Sequence, residues 1–509
     1  MRDDTCVPTH PAGPCAIVIF GASGDLTKRK LLPSLYNLAA CGILPKDFII
    51  IGVGRSETSH EEFRAQMTQA IGEFGTQKTD PRLWQTFEER TYYCSGNFDD
   101  PNTYVQLKKL LLQAEKEHPT GGNILFYLSV QPSYFGLIPQ QLKVQGLLKE
   151  TKGSWRRVII EKPFGHDLAS SRELSRQISS ALTENQVYRI DHYLGKETAQ
   201  NILIFRMGNG MFEPIWDRRY IDHVQITVAE SIGIEGRGAF YETAGTFRDV
   251  MQNHMFMLLA LVAMEPPTSF SGEAVRNEKV KLLQAMRILT PEEVERNTVR
   301  GQYGPGQEKG KAIAGYRQEP NVDSSSKVET FAAMKLWVDN WRWAGVPFYL
   351  RSGKHLAKRS TEIVVRFKNA PLDIFGENES DPVGPNRLII HIQPEERISL
   401  QVRAKIPGPT IRTRGVTMDF CYSQFGNVAQ TTGYEKLLYD CMVGDSTLFH
   451  RTDMVEAAWK VAQPILDGWQ SKPPTDFPNY SPGEWGPKAA DELLALDHHT
   501  WWVEPEAQP

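Results

Sequence analysis

No run of this chain is apolar for long enough to cross a bilayer: the longest, MFMLLALVAM at 255 to 264, falls well short of the roughly 20 residues a membrane helix needs and reads as a buried helix. Excess charge of one sign is missing too. The 57 basic and 61 acidic side chains leave a net charge of -4, so there is no global pull toward nucleic acid or an anionic membrane, and any anion site has to be built from local basic residues. Cysteine is scarce, and the six at 6, 15, 41, 94, 421 and 441 form neither a CxxC pair nor a framework spacing, which predicts reduced thiols in a cytoplasmic protein. His498 and His499 are adjacent and lack partners at ligand spacing, so no metal is expected. The opening MRDDTCVPTHPAGP has no apolar signal region and is expected to be a disordered tail over residues 1–14. Internal repeats and low-complexity stretches are absent as well.

What remains is the composition of an ordinary globular protein. Its 509 residues, 40% hydrophobic and 23% charged, suffice for two or three domains. CAIVIF (15–20), FIIIGV (48–53), ILFYLSV (124–130) and RVIIE (157–161) are short and apolar, the habit of strands buried on both faces, and amphipathic segments separate them. That alternation predicts βαβ units and a doubly wound parallel sheet over 15–190. Beyond residue 190 the pattern changes. YIDHVQITVAES (220–231), EIVVRFKNA (362–370), RLIIHIQP (387–394) and ISLQVRAKI (398–406) read as longer strands with one solvated face. A larger α+β domain with a mainly antiparallel sheet is expected over 191–509. The Gly and Pro clusters at 301–310 and 372–386 predict loops, and 472–487 predicts an ordered but irregular wrap.

Five stretches carry chemistry. In IVIFGASGDL, Gly21 suits a tight turn after a strand and Gly24 lets backbone approach a pyrophosphate at a helix N-terminus, with Ala22, Ser23, Asp25 and Leu26 completing the turn. The pattern is shorter than GxGxxG, and Asp25 and Thr27 serve equally well as plain helix caps, while Pro33 should kink the helix. FIIIGVGRSE ends in Arg55 and Ser56 where an NAD-selecting acid commonly stands, which favours the 2′-phosphate of NADP. VIIEKPFGHD puts Lys162 at a strand's carboxyl end, and Pro163 invites a cis bond. RIDHYLGKE gathers Asp191, His192, Tyr193 and Lys196, a kit for binding a phosphate that a solvated loop could also present. In FRDVMQNHM, Asp249 and His254 are five apart, about 140° around a regular helix, so they share a face only if Asp249 lies at the helix start.

Taken together and in this order, four of these stretches, IVIFGASGDL, VIIEKPFGHD, RIDHYLGKE and FRDVMQNHM, resemble the glucose-6-phosphate dehydrogenase family, from about Cys15 to about Lys488. The resemblance implies a Rossmann-like first domain binding NADP, with NAD as second choice, through Gly21 to Leu26, Arg55, Ser56 and Lys162. It implies that His254 takes the proton from the anomeric hydroxyl of glucose 6-phosphate while Asp249 orients it. Lys162, His192, Tyr193, Lys196, Glu230, Asp249, Lys354, Arg359 and Gln393 would bind the sugar phosphate. A homodimer or homotetramer built on the second domain's sheet follows from the same likeness. In the family's animal branch, basic residues after the counterpart of Arg359 hold a second, structural NADP; Ser360 and Val364 stand here, which argues against it. The rival reading is a catalytically silent sugar-phosphate or dinucleotide sensor on the same fold, and the presence of His254, Asp249 and Lys162 weighs against that.

Overall fold

The computed structural model describes residues 10–308, 310–372, 374, 384–425 and 433–504. The chain forms two compact units. The first comprises Met1–Lys196, Pro267–Asn277 and Phe425–Glu456, and the second Glu197–Pro266, Glu278–Gln424 and Ala457–Pro509.

In the first unit β1 (Cys15–Phe20), β2 (Phe48–Gly54), β3 (Thr91–Ser95), β4 (Ile124–Leu128), β5 (Arg156–Ile160) and β6 (Val187–Arg189) form one parallel sheet in the order β3-β2-β1-β4-β5-β6. This is the doubly wound order whose ligand crevice opens between β1 and β4, at their carboxyl ends. Strands β1, β2 and β4 are buried along their whole length, as their near-continuous apolar sequences require. The helices between them are started by side-chain caps: Ser59 and Asp167 close capping boxes, and Asp100 accepts from the amide of Asn102. After β1 the chain makes a π-helical segment, Thr27–Leu31, that runs into the α-helix Leu32–Ala40 with Pro33 in its first turn. The widened turn accommodates the proline that the sequence suggested would kink a regular helix.

Late sequence completes this unit. Asn37 donates to Glu435 Oε1 (2.8 Å), and Arg157 donates to the carbonyls of Cys441 and Met442 (2.6 Å each). Residues 1–9 of the expected tail lie outside the described residues, but from His10 onward the chain is packed: Ala12 donates its amide to Ile43 O, and the His10 carbonyl accepts from Tyr439. Cys15, Cys94, Cys421 and Cys441 are free, and burial pushes the Cys15 thiol up to about 12. Cys41 is disulfide-bonded, which corrects the expectation of reduced thiols throughout; sequence spacing carried no sign of this bond.

The second unit is organised on an eight-stranded sheet of β7 (Ile221–Ala229), β8 (Thr298–Gly301), β11 (Phe331–Trp337), β12 (Pro347–Gly353), β13 (Ser360–Phe367), β14 (Arg387–Gln393), β15 (Arg397–Lys405) and β16 (Thr413–Cys421). The order is β16-β15-β14-β13-β7-β12-β11-β8, antiparallel except for the β7–β12 pair. The 301–310 stretch read as a loop contains one arm of a small ribbon, β9 (Gly306–Glu308) paired with β10 (Lys311–Ile313). Most of 372–386 lies outside the described residues.

One solvated face was expected for the four longer strands; of these only β15 is open to solvent along much of its length, and β16, which was not anticipated, has no buried residue. Strands β7, β12 and β13 are buried almost throughout. Residues from the far end of the chain cover them: Gln225 donates to Thr500 O and accepts from the amide of Trp502. Arg351 donates to Trp502 O and lies 4.5 Å from the ring centres of both Trp485 and Trp501. The apolar run at 255 to 264 is a buried helix, Phe256–Ala263.

Candidate functional site

The turn after β1 requires the glycine that occupies it. Gly21 has φ +81°, and a Cβ there would lie 2.0 Å from Ser129 O, just past β4. A Cβ on Gly24 would meet only the Gly21 carbonyl, at 3.0 Å, so the approach to its backbone is otherwise open and suits a pyrophosphate. Asp25 accepts from Arg29 Nε at 2.7 Å, and Thr27 is buried with its hydroxyl on Gly21 O. Arg55 and Ser56 are exposed directly after β2, and the Ser56 carbonyl accepts from Tyr93 (3.0 Å) and Ser95 (3.1 Å), which fixes the direction of the loop. The residues therefore fit a dinucleotide, with a guanidinium where the adenosine ribose would end.

Lys162 stands two residues past the end of β5, and the Lys162–Pro163 bond is cis. Its neighbour Glu161 points at Tyr127, whose hydroxyl lies 2.5 Å from Oε1. Loss of water around the Glu161 carboxyl pushes it up to about 7, against the lowering effect of Tyr127 and of the Lys162 charge. Past β6, Asp191 is buried and takes the Tyr193 amide on Oδ1 at 2.9 Å. The turn it starts leaves His192, Tyr193 and Lys196 partly exposed, with the two rings 5.0 Å apart and the Lys196 ammonium 4.5 Å from the centre of the Tyr193 ring. A cation, a phenol and an imidazole on one tight turn offer the kinds of donor that an anion takes.

In the second unit the FRDVMQNHM segment is a π-helix, Phe247–Met255. Such a helix hydrogen-bonds residues five apart, which brings Asp249 and His254 toward the same side of the segment. The 140° separation anticipated for a regular helix does not apply, and Asp249 lies in the first turn of the segment, at the helix start that the sequence required for the two to meet. Glu329 sets where the segment begins. Its Oε1 accepts the Phe247 amide (3.1 Å) and its carbonyl the Thr246 amide (3.1 Å), beside Gly245 at φ 61° and ψ 177°. Burial raises the Glu329 carboxyl. Asn253 accepts the His254 amide (2.6 Å) and donates to Arg248 O (3.0 Å).

Glu230 and Lys354 stand just beyond the ends of β7 and β12 and form an ion pair; the Lys354 side chain is buried and the Glu230 side chain is 32% exposed. Lys354 also lies 5.6 Å from the ring centre of Tyr241, and its carbonyl accepts from Tyr480 at 2.8 Å. Gln393 ends β14 half-buried, before a cis Gln393–Pro394 bond, and Arg359 is exposed just before β13. At the opposite end of β7, Asp222, His223 and His499 converge, a grouping that the spacing of His498 and His499 did not suggest. His223 Nε2 faces the Gln225 amide nitrogen at 2.9 Å, and that amide's orientation is fixed by its Thr500 and Trp502 bonds. The ring proton therefore sits on Nδ1 and is donated to Asp222 (2.9 Å).

Two family models cover nearly all of this architecture. The one described as "Glucose-6-phosphate dehydrogenase, NAD binding domain" matches residues 18–201, and "Glucose-6-phosphate dehydrogenase, C-terminal domain" matches 203–502. The chain belongs to the glucose-6-phosphate dehydrogenase family. It is 47% identical over 493 residues to a glucose-6-phosphate 1-dehydrogenase of Chlamydia pneumoniae, covering 96% of each chain. It is 42% identical over 494 residues to that of Bacillus subtilis (strain 168), covering 97% of this chain and 99% of the other. A solved glucose-6-phosphate dehydrogenase in complex with its substrate glucose-6-phosphate superposes with a TM-score of 0.86 at 35% identity, covering 98% of this chain and 100% of that one.

The residues singled out from the sequence lie at or just beyond strand ends, in tight turns, at the start of the helix after β1, or in the π-helix; Arg359 is exposed just before β13. Sequence reasoning missed Glu329, Glu161, Tyr127 and Tyr241. Each is a polar group inside or beside an apolar run, and what it touches is set by pairing across long stretches of chain. Glu161 alone had a local signal, as an acid immediately before the lysine in VIIEKP.

Proposed function

We propose that this protein is a glucose-6-phosphate 1-dehydrogenase that oxidises D-glucose 6-phosphate to 6-phospho-D-glucono-1,5-lactone with reduction of NADP to NADPH, the first step of the oxidative pentose phosphate pathway. The observation that carries this reading is the π-helix over Phe247–Met255, whose hydrogen bonds span five residues, the separation of Asp249 and His254. His254 accepts the proton of the C1 hydroxyl, and Asp249 holds the imidazole in the tautomer that leaves the accepting nitrogen bare and offsets the charge it gains. The coenzyme, when bound, supplies the hydride acceptor. Gly21 to Leu26 seat its pyrophosphate, Arg55 and Ser56 meet the 2′-phosphate, and Lys162 serves coenzyme and sugar alike. NAD is the second-choice coenzyme, since a guanidinium at position 55 can also stack on adenine.

His192, Tyr193 and Lys196 grip the 6-phosphate. Glu230, Lys354, Arg359 and Gln393 bind the sugar's other polar groups. A second, structural coenzyme is no part of this reading: Ser360, Glu362 and Val364 alternate onto one face of β13, all three are buried, and Glu362 puts a carboxylate there. The assembly is a homodimer or a dimer of dimers through the open strands β15 and β16, where Met418 is 53% exposed. The setting is the cytoplasm.

The test is absorbance of reduced nicotinamide with glucose 6-phosphate and either coenzyme, for the intact protein and for Lys196→Ala. The variant should raise KM for glucose 6-phosphate at least about tenfold, as loss of one charged hydrogen bond worth roughly 1.5–3 kcal/mol requires. Its weak activity on free glucose should stay unchanged. Equal losses on both sugars would remove Lys196 from the phosphate site, and no turnover by the intact protein would leave the silent-sensor reading.

A further inference from the structure

A lysine ammonium taken into a protein interior needs groups that replace the water it has lost. Lys354 is 2% exposed. The Glu230 carboxylate is one such group, and the ring of Tyr241, whose centre lies 5.6 Å from the ammonium, is another. The root of the lysine is fixed independently of both: its amide donates to Thr330 O at 2.9 Å, and its carbonyl accepts from Tyr480 at 2.8 Å. Where the long side chain ends is therefore set by the carboxylate and the ring.

Tyr241 stands on the helix Gly238–Thr246 and is 1% exposed. Its hydroxyl lies 2.6 Å from Thr246 Oγ1, and Thr246 is the residue on which the π-helix Phe247–Met255 begins. Burial, and after it the charges of Asp249, Glu230 and Glu329, hold the phenol well above its usual range, so it stays a neutral hydroxyl. The ring has little room to turn. Tyr316 packs edge-on against it at 6.1 Å, and the Tyr316 hydroxyl donates to Glu242, the next residue along, at 2.6 Å. One side chain therefore touches both the buried lysine and the start of the segment that carries Asp249 and His254. A phenylalanine would keep the ring face and lose the hold on Thr246; a leucine would supply neither.

We propose that Tyr241 is a positioning residue with two separable actions: its hydroxyl holds the start of the π-helix that carries Asp249 and His254, and its ring face holds the Lys354 ammonium beside Glu230. The proposal rests on the assignment of Lys354 to the sugar and of His254 to the base. Loss of the hydroxyl alone lets the base drift and slows the chemical step, whereas loss of the ring also frees the lysine and weakens substrate binding.

The test is steady-state kinetics and direct titration of glucose 6-phosphate on the full chain for Tyr241→Phe, Thr246→Val, their double variant and Tyr241→Leu, with Lys354→Met and His254→Asn alongside. Tyr241→Phe should lower kcat about threefold to tenfold and keep KM and Kd for glucose 6-phosphate within about twofold. Thr246→Val removes the same contact from its other end and should match it. The double variant should stay within about twofold of either single change, since all three lose one hydrogen bond. Tyr241→Leu should show the same fall in kcat together with a rise of about fivefold in KM and Kd, with KM for the coenzyme unchanged. Parent-like kcat in Tyr241→Phe, additive losses in the double variant, or a coenzyme KM that rises in step overturns the proposal. So does an equal KM in Tyr241→Phe and Tyr241→Leu while Lys354→Met raises it. If Lys354→Met leaves KM unchanged, or His254→Asn leaves kcat unchanged, the assignment of that residue has failed and the proposal with it. Should Tyr241→Leu not fold, Tyr241→Met, with an unbranched side chain that packs adaptably, carries the same comparison with Tyr241→Phe.

Discussion

Gly245→Ala should damage the reaction without touching any group that meets the substrate. Gly245 sits at φ 61° and ψ 177°, a conformation essentially confined to glycine, and a Cβ there would lie 2.3 Å from Glu329 Oε1. Holding an alanine in that conformation costs about 1–3 kcal/mol. Pushing the carboxylate aside breaks the bond it accepts from the Phe247 amide, a charge-assisted interaction worth about 1.5–3 kcal/mol. The sum, about 2.5–6 kcal/mol, is a large part of the roughly 5–15 kcal/mol that holds a domain folded. Because Phe247 opens the π-helix that carries Asp249 and His254, the shift should also misplace the base, and kcat should fall about 10- to 100-fold. Urea denaturation gives the first quantity and coenzyme reduction the second. Combining Gly245→Ala with Glu329→Ala should cost less than the two changes added, since both lose the same hydrogen bond. A Gly245→Ala protein within about 1 kcal/mol of the parent and with normal kcat would refute the role given to Glu329.

His254→Asn should lower kcat by about 10²- to 10⁴-fold with little change in substrate affinity, measured by turnover and titration; near-normal turnover removes His254 from the mechanism. Arg55→Ala should weaken NADP use by about 10- to 100-fold and spare NAD far more, and equal losses with both would point to adenine stacking. Glu161 has its folded-state carboxyl raised to about 7 from 4.5, so the folded state holds its proton more tightly and this group's contribution to stability is lost as pH rises from about 4.5 to about 7. Glu161→Gln should therefore melt close to the parent at pH 5 and above it at pH 8; a melting difference independent of pH would contradict this.

The strands of the first unit were legible because burial on both faces writes itself as uninterrupted apolar sequence, and β1, β2, β4 and β5 fall within two residues of where CAIVIF, FIIIGV, ILFYLSV and RVIIE placed them. In the second unit the segments were found but their environment was misjudged. Nothing in YIDHVQITVAES says that Thr500 and Trp502, far along the chain, will pack on Gln225. The π-helix was illegible for a related reason. Its register depends on Glu329 and Gly245, while the local sequence FRDVMQNHM is compatible with an ordinary helix.

The interleaving of the two units bears on how the chain is made. The parallel sheet is finished in sequence by Arg189, yet its unit takes in segments as far as Glu456, and β7 is covered only once Trp502 exists. At about 5–20 residues per second, a ribosome needs roughly 13–50 s to pass from the end of the first segment to Glu456. Throughout that interval the emerging polypeptide exposes apolar surface that it cannot yet bury. Neither unit can therefore be completed until residues several hundred positions along the chain have been made.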